Sequence, residues 1–291
     1  MRCAAPLSPL SASLDALTGP VDASKLWGTR VIFGLTSLVF LGQLAANAQR
    51  FGMGRLHELV LGALWGIGQF GGLSETFHTV STEPFRLLSA VLVHVNALHF
   101  ALNMLALAGL GRVAEPGVGT SRFVVAYFSC GVVGFAVSVT MAEILGNGGH
   151  TAGASGAVFG ISGLILGWLF RTRDTRWGGA DKRWLKYAVS TGASLLLVNL
   201  FPVNINNAAH VGGLLCGAVL GFYYASRPKP KSLLVPNVAA VAGLLLAITS
   251  LILAQRAAGF GRKPQARLDA AGETPTPDPQ LPPDLDNPER D

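Results

Sequence analysis

Two short motifs in this apolar chain carry residue types that perform nucleophilic catalysis. Ser155 lies between glycines in Gly153-Ala154-Ser155-Gly156, and His210 follows 55 residues later. A serine hydroxyl is a weak nucleophile until a neighbouring base takes its proton, and a neutral imidazole suits that task near pH 7. The sequence therefore predicts Ser155 as a nucleophile and His210 as its general base.

The negative charge that develops on the attacked carbonyl oxygen needs hydrogen-bond donors. The backbone N–H of Ser155, at the start of a predicted helix, is one candidate. The side chains of His99 and Asn103 are others, because residues four apart share one helical face. His94 lies five residues earlier, offset from His99 on the same predicted span. The spans predicted to carry Ser155 and His210 contain no Asp or Glu, which indicates a Ser–His dyad.

Glycines surround both candidate residues. Gly153 permits a tight turn or a positive φ, and Gly156 keeps bulk away from the hydroxyl. Small residues at helical spacing let two membrane helices pack closely, which would bring the base to the nucleophile. Phe159, one turn after Ser155, could pack against the imidazole. The glycines at such spacing are Gly156, Gly160, Gly163, Gly212, Gly213 and Gly217.

The elements that must position these residues are membrane helices. The chain is 50% hydrophobic and only 13% charged, whereas soluble domains carry roughly 25% charged residues. Apolar runs of about 17 to 25 residues are long enough to span a bilayer as helices. The sequence therefore predicts an all-α polytopic membrane protein with seven spans. They cover 30–48, 87–111, 122–146, 155–170, 185–201, 208–226 and 233–255.

The distribution of basic residues predicts the orientation of the spans. The loops 171–186 and 227–231 are rich in Lys and Arg, whereas 146–154 and 202–207 contain neither. By the positive-inside rule the first two loops are cytoplasmic, as is the N-terminus, and the C-terminus faces outward. Arg256 and three further basic residues beyond the last span oppose that placement. Because the net charge of +6 lies mainly in loops, it indicates membrane orientation and not nucleic-acid binding.

The fourth span is short, about 16 residues or roughly 24 Å of helix. With its basic end at the cytoplasmic surface, Ser155 would lie recessed below a non-helical loop. Irregular backbone at such depth is tolerated only inside protein or around a water-filled cavity, so we expect an outward-opening cavity. Alone, His94 or Asn103 could simply bond neighbouring helices. Together, polar side chains at one depth favour a functional site.

The remaining segments are predicted as flanking or connecting regions. Residues 1–29 form a soluble N-terminal segment without a signal-peptide core, and the Pro- and Asp-rich residues 256–291 form a disordered tail. The aromatic- and glycine-rich stretch 49–86 fits an element in the outer membrane interface. The three cysteines show no zinc spacing. We expect neither metal nor cofactor.

These motifs resemble those of the rhomboid family of intramembrane serine proteases. The resemblance covers 30–226 and implies a six-helix core, to which 227–255 adds a loop and a seventh helix (6+1). It implies a serine endopeptidase that cleaves transmembrane protein substrates near the outer end of their membrane segments. The expected site comprises Ser155, His210, His99, Asn103, His94, Gly153 and Gly156. Phe85-Arg86 stands where the family has Trp-Arg. The matching motifs are GASG (153–156), HFALN (99–103) preceded by His94, and AHVGG (209–213).

Two alternatives remain. One is a non-catalytic rhomboid-like protein that binds membrane clients, although such relatives usually lack the Ser or His found here. The other is a small transporter, but the polar residues are confined to the outer half of the spans. The absence of a clear transit peptide indicates a bacterial inner membrane. The sequence specifies neither the natural substrate nor the oligomeric state.

Overall fold

The computed structural model describes residues 26–51, 67–172, 205–226 and 234–257, with helical pieces between 189 and 197. In these ranges the regular structure is helical apart from one short ribbon of two strands, β1 (Leu73–Ser74) and β2 (His150–Thr151). The helices are α1 (Trp27–Phe51), α2 (Ile67–Phe70), α3 (Phe77–Thr82), α4 (Arg86–Ser89), α5 (Ala97–Val118), α6 (Thr120–Leu145), α7 (Ser155–Thr172), α8 (Asn207–Ala225) and α9 (Leu234–Ala257).

Six of these helices, α1 and α5 to α9, are long and apolar enough to cross a membrane. They correspond to six of the seven predicted spans. The fifth predicted span, 185–201, lies outside the described residues except for its helical pieces. The predicted N-terminal segment up to residue 25 and the tail from residue 258 lie wholly outside them. The predicted fold class is confirmed as an all-α, integral, multi-pass membrane protein.

The predicted second span, 87–111, is wrong in its boundaries. Residues 90–96 form a non-helical segment between α4 and α5, so His94 does not lie on the helix of His99. Asn96 starts α5: its backbone is extended (φ −157°), and its side-chain oxygen accepts a hydrogen bond from the His99 N–H at 2.8 Å. Such an N-cap begins a helix even inside an apolar run. At its other end α5 continues to Val118.

The extension of α5 buries a carboxylate that joins three helices. Glu115 accepts hydrogen bonds from the backbone N–H groups of Gly28 (2.7 Å) and Thr29 (2.8 Å) at the start of α1. It also accepts from the hydroxyls of Thr29 and Thr120, both at 2.7 Å. The first N–H groups of a helix have no partners within it, and a negative charge there is favourable. Glu115 therefore holds the starts of α1 and α6 to the end of α5.

Helices α7 and α8 pack backbone against backbone through glycines. A Cβ atom on Gly213 would overlap the carbonyl oxygen of Gly156, and one on Gly217 would overlap that of Gly160. In the opposite direction, a Cβ on Gly163 would overlap the carbonyl oxygen of Leu214. This is the close approach expected from the glycine spacing, since only glycine leaves room for it. The pairing brings the first turns of both helices together.

The segment from α2 to α4 covers the starts of these two helices. Its strand β1 pairs antiparallel with β2, with Leu73 opposite Thr151 and Ser74 opposite His150. Arg86 is buried, forms an ion pair with Glu83, and donates to the carbonyl oxygens of residues 68 (2.6 Å) and 72 (2.9 Å). The segment is therefore an ordered structure held by its own polar contacts. Of the predicted interfacial stretch, 52–66 lies outside the described residues, and the position of the rest relative to a bilayer stays a prediction.

Candidate active site

Ser155 lies at the start of α7, immediately after an irregular turn. Gly153 adopts φ +138°, a conformation that side-chain-bearing residues rarely adopt, and donates its N–H to the carbonyl oxygen of Ala90 at 2.9 Å. The Ala154 carbonyl accepts from the Val158 N–H at 2.9 Å, so helical hydrogen bonding begins directly before the serine. The positive φ expected at Gly153 is what lets the chain turn from β2 into α7.

His210 lies in the first turn of α8, and its Nε2 is 2.9 Å from the Ser155 hydroxyl oxygen. The N-cap residue Asn206 starts this helix, because its side-chain oxygen accepts from the Ala209 N–H at 3.0 Å. The Phe159 ring lies 4.6 Å from the imidazole, centroid to centroid, tilted by 34°. The buried Nδ1 of His210 has no hydrogen-bond partner among the described residues. The contact is thus a serine–histidine pair without an orienting carboxylate.

His99 projects from α5 towards the turn that precedes Ser155, and Asn103 lies one helical turn after it. A Cβ atom on Gly153 would lie 2.5 Å from Cε1 and 3.0 Å from Nε2 of His99, so the imidazole packs directly on the glycine backbone. The Asn103 amide donates to the carbonyl oxygen of His99 at 2.8 Å. One of its two N–H groups is therefore engaged within α5, and the other is left for a further acceptor.

His94 is fully buried behind the same turn. Its Nε2 accepts from the Ala154 N–H at 3.5 Å, and its ring meets that of His99 edge-on at 5.4 Å. Its backbone is clamped by Gln43 of α1, which donates to the His94 carbonyl (3.0 Å) and accepts from the His94 N–H (3.1 Å). In this geometry His94 supports the backbone before Ser155.

A polar cluster beside the dyad was not identified from the sequence. The Asn206 amide donates to Glu75 (2.7 Å), Ser138 (2.6 Å) and Thr151 (3.0 Å). The available signal was Asn206 itself, because Asn directly before a helical apolar run is a common N-cap. Its partners are 55 to 131 residues away along the chain, so no local pattern connects them. Among the described residues, no group of three or more His, Cys, Asp or Glu could hold a metal ion.

Comparison with known proteins places the chain in one family. The Rhomboid domain model matches residues 81–227, which include all the candidate site residues. The chain is 31% identical to Rhomboid protease GluP of Bacillus subtilis over 165 residues, covering 55% of this chain and 29% of that protein.

Eukaryotic relatives match to a similar extent. RHOMBOID-like protein 5 of Arabidopsis thaliana is 33% identical over 150 residues (50% of this chain, 46% of that protein). Rhomboid-like protease 1 of Toxoplasma gondii is 31% identical over 173 residues (57% and 56%). The chain therefore spans between 29% and 56% of the length of these relatives. With half of its length matched by the domain model, the chain belongs to the rhomboid family.

Proposed function

We propose that this protein is an intramembrane serine endopeptidase that cleaves transmembrane segments of membrane proteins. The observation that carries the proposal is the 2.9 Å contact between the Ser155 hydroxyl and His210 Nε2. These residues start two helices whose glycine faces pack backbone to backbone. A nucleophile within hydrogen-bond reach of its base is the arrangement that acyl transfer requires.

The proposed reaction begins with proton transfer. His210 Nε2 accepts the hydroxyl proton as the Ser155 oxygen attacks the carbonyl carbon of the scissile peptide bond. Nε2 can accept only when the neutral imidazole carries its proton on Nδ1. The Phe159 ring beside the imidazole supports that orientation, and no carboxylate takes part.

The tetrahedral intermediate places negative charge on the former carbonyl oxygen. The free N–H groups at the start of α7, that of Ser155 among them, would donate to it, aided by the positive end of the helix dipole. Further donors would come from His99 and from the second N–H of Asn103. His94, Gly153 and Gly156 would act as site support, the first two through the turn before Ser155 and Gly156 through the close approach of α8.

The intermediate then breaks down in two steps. The C–N bond of the substrate breaks, the leaving amine takes the proton from His210, and the acyl group stays on the Ser155 oxygen. Water, deprotonated by the same imidazole, attacks the ester, and the serine leaves with the returned proton. In total the reaction consumes one water molecule, and Ser155 and His210 return to their starting protonation states.

The proposed core is the six-span unit 30–226, whose first helix already begins at Trp27. A loop and an added seventh helix follow it, and the residues before α1 and after α9 would form a soluble segment and a tail. The N-terminus would be cytoplasmic in a bacterial inner membrane, and the site would open to the outer side through a water-filled cavity. This setting would place cleavage near the outer end of the substrate's transmembrane segment.

Cleavage of a model transmembrane substrate by the purified protein in liposomes tests the proposal. We expect Ser155→Ala and His210→Ala each to lower the rate at least about 10³-fold, as loss of a nucleophile or base does in serine proteases. Both variants should keep the unfolding temperature and membrane insertion of the native chain. An unchanged rate in Ser155→Ala would refute the dyad, and retained client binding without any cleavage by the native chain would favour a non-catalytic binding protein.

A further inference from the structure

We infer that Glu75 is a positioning residue on which the alignment of Ser155 with His210 depends. Glu75 lies outside every motif of the site, in the connection between β1 and α3. The kinetic part of this inference rests on the proposed function, whereas its structural part concerns the two segments that Glu75 joins.

The Glu75 carboxylate bonds to three separate elements. Its Oε1 accepts from the Asn206 amide (2.7 Å) at the start of α8 and from the Ser138 hydroxyl of α6. Its Oε2 accepts from the Gly149 N–H (3.3 Å) in the connection that leads to α7. The Glu75 N–H also donates to the Gly149 carbonyl oxygen at 2.8 Å. One carboxylate thus ties α6, α8 and the chain before Ser155 together.

These bonds lie four residues before each reacting group along the chain. Asn206 precedes His210 by four residues, and its carbonyl oxygen accepts the His210 N–H at 3.2 Å. Thr151 precedes Ser155 by four residues, and its hydroxyl accepts from the same Asn206 amide at 3.0 Å. Glu75 and Asn206 therefore join the first turn of α8 directly to the strand that leads into α7.

The helix contact itself defines this alignment less strictly. Where α7 meets α8, the packed surfaces are those of glycines such as Gly160, Gly213 and Gly217. Glycine allows close approach but offers no side chain that interlocks with the opposite helix. Small sliding or rotation of α8 along α7 is then opposed by backbone packing and by the hydrogen bonds at the helix starts, those of Glu75 among them. A misplacement of about 1 Å can lower a catalysed rate about 10²-fold.

Glu143 provides a matched control. It lies on α6 and, like Glu75, connects that helix to the segment around α3, because its Oε1 accepts the Phe77 N–H at 2.5 Å. Within the described residues it makes no hydrogen bond to α8 or to 149–154. Glu143→Ala therefore loosens the same segment without releasing Asn206.

The first test compares Glu75→Ala with Glu143→Ala. We expect Glu75→Ala to lower the rate of fluorophosphonate labelling and the kcat for a transmembrane substrate by about 10- to 100-fold, with KM little changed. Glu143→Ala should stay within about twofold of the native chain at a similar unfolding temperature. Amide hydrogen exchange of 149–155 and 205–210 should rise in Glu75→Ala only.

An exchange of the two side chains separates positioning from general stability. In Glu75→Gln the new NH₂ group replaces one carboxylate oxygen. In either rotamer it then faces another donor, the Asn206 amide or the Gly149 N–H. In Asn206→Asp the side-chain oxygen that caps α8 is kept, but the second carboxylate oxygen faces the Glu75 carboxylate. In the double variant the new amide donates to the new carboxylate. We expect each single variant to lose rate and the double variant to recover at least about tenfold over either.

Each result decides a separate question. Equal labelling rates and equal exchange in Glu75→Ala and Glu143→Ala would overturn the inference, as would a double variant no faster than its parents. A native chain that neither labels nor cleaves would instead refute the proposed function. In that case, exchange of 149–155 and 205–210 that rises in Glu75→Ala alone would still support the alignment role, and unchanged exchange would overturn it.

Discussion

Replacing Gly134 with alanine tests whether close packing around α8 sets the geometry of the dyad. A Cβ atom at this position of α6 would lie 2.6 Å from the carbonyl oxygen of Ala209, the residue before His210. Gly156 of α7 approaches the same oxygen, since a Cβ added there would lie 3.3 Å from it. The start of α8 is thus held between backbones of α6 and α7.

The magnitude follows from these distances. Ordinary van der Waals contact begins near 3.4 Å, so alanine at 134 requires a displacement of about 0.8 Å. A shift of that size is large against the 2.9 Å contact between Ser155 and His210, because hydrogen-bond distances vary by only a few tenths of an ångström. We expect the labelling rate with a fluorophosphonate to fall about 10²-fold. Overpacking should lower the free energy of unfolding by about 1–3 kcal/mol.

The assay is the rate of covalent labelling at fixed probe concentration, measured together with thermal unfolding. Gly109→Ala is the matched control, because no atom lies within 4 Å of a Cβ added to Gly109 on α5. It should label at the native rate and be no less stable. Native labelling by Gly134→Ala, with an unchanged unfolding temperature, would refute the argument that backbone contacts position His210.

Three further substitutions test other contacts. Glu115→Ala should lower the free energy of unfolding by about 3 kcal/mol or more, because it leaves several buried donors such as the Thr29 N–H unsatisfied; a native denaturation midpoint would contradict this. Phe159→Ala should slow labelling by up to about tenfold through loss of the ring contact with His210, whereas Phe159→Tyr should not; equal rates for the two would count against the contact. Arg86→Ala should increase hydrogen exchange at 67–72, where the guanidinium holds two carbonyl oxygens, and unchanged exchange would show that other contacts suffice.

The parts of the fold that local patterns control were predictable from the sequence. The start of α7 at Ser155 matches the prediction to the residue, because a glycine turn and a polar-to-apolar change coincide there. The start of α5 was not predicted correctly. The sequence stays largely apolar from 87 through the N-cap Asn96 and into α5, so hydropathy does not show where the helix begins. Hydropathy indicates burial but not backbone conformation. The predicted span 87–111 therefore combined α4, the non-helical segment 90–96 and α5 in one helix.

Long-range polar contacts escaped prediction for a different reason. Glu75 and Asn206 are 131 residues apart, and the N-cap signal at Asn206 does not indicate Glu75 as its partner. Such a pair is defined only once the helices have packed, because packing decides which buried donors need an acceptor. The same holds for Gln43, whose amide clamps the backbone of His94 across 51 residues. The residues predicted from the sequence therefore included the reacting groups, His94 and Phe159, but not Glu75, Asn206 or Gln43.

The most direct test of the central claim is to map the fluorophosphonate adduct by mass spectrometry in the purified protein. The probe loses fluoride as the activated oxygen bonds to phosphorus, so labelling reports a nucleophile with a functioning base. The proposed dyad predicts a single adduct on Ser155, absent from Ser155→Ala and formed at least about 10³-fold more slowly in His210→Ala. An adduct on another residue, or labelling that survives Ser155→Ala, would contradict it.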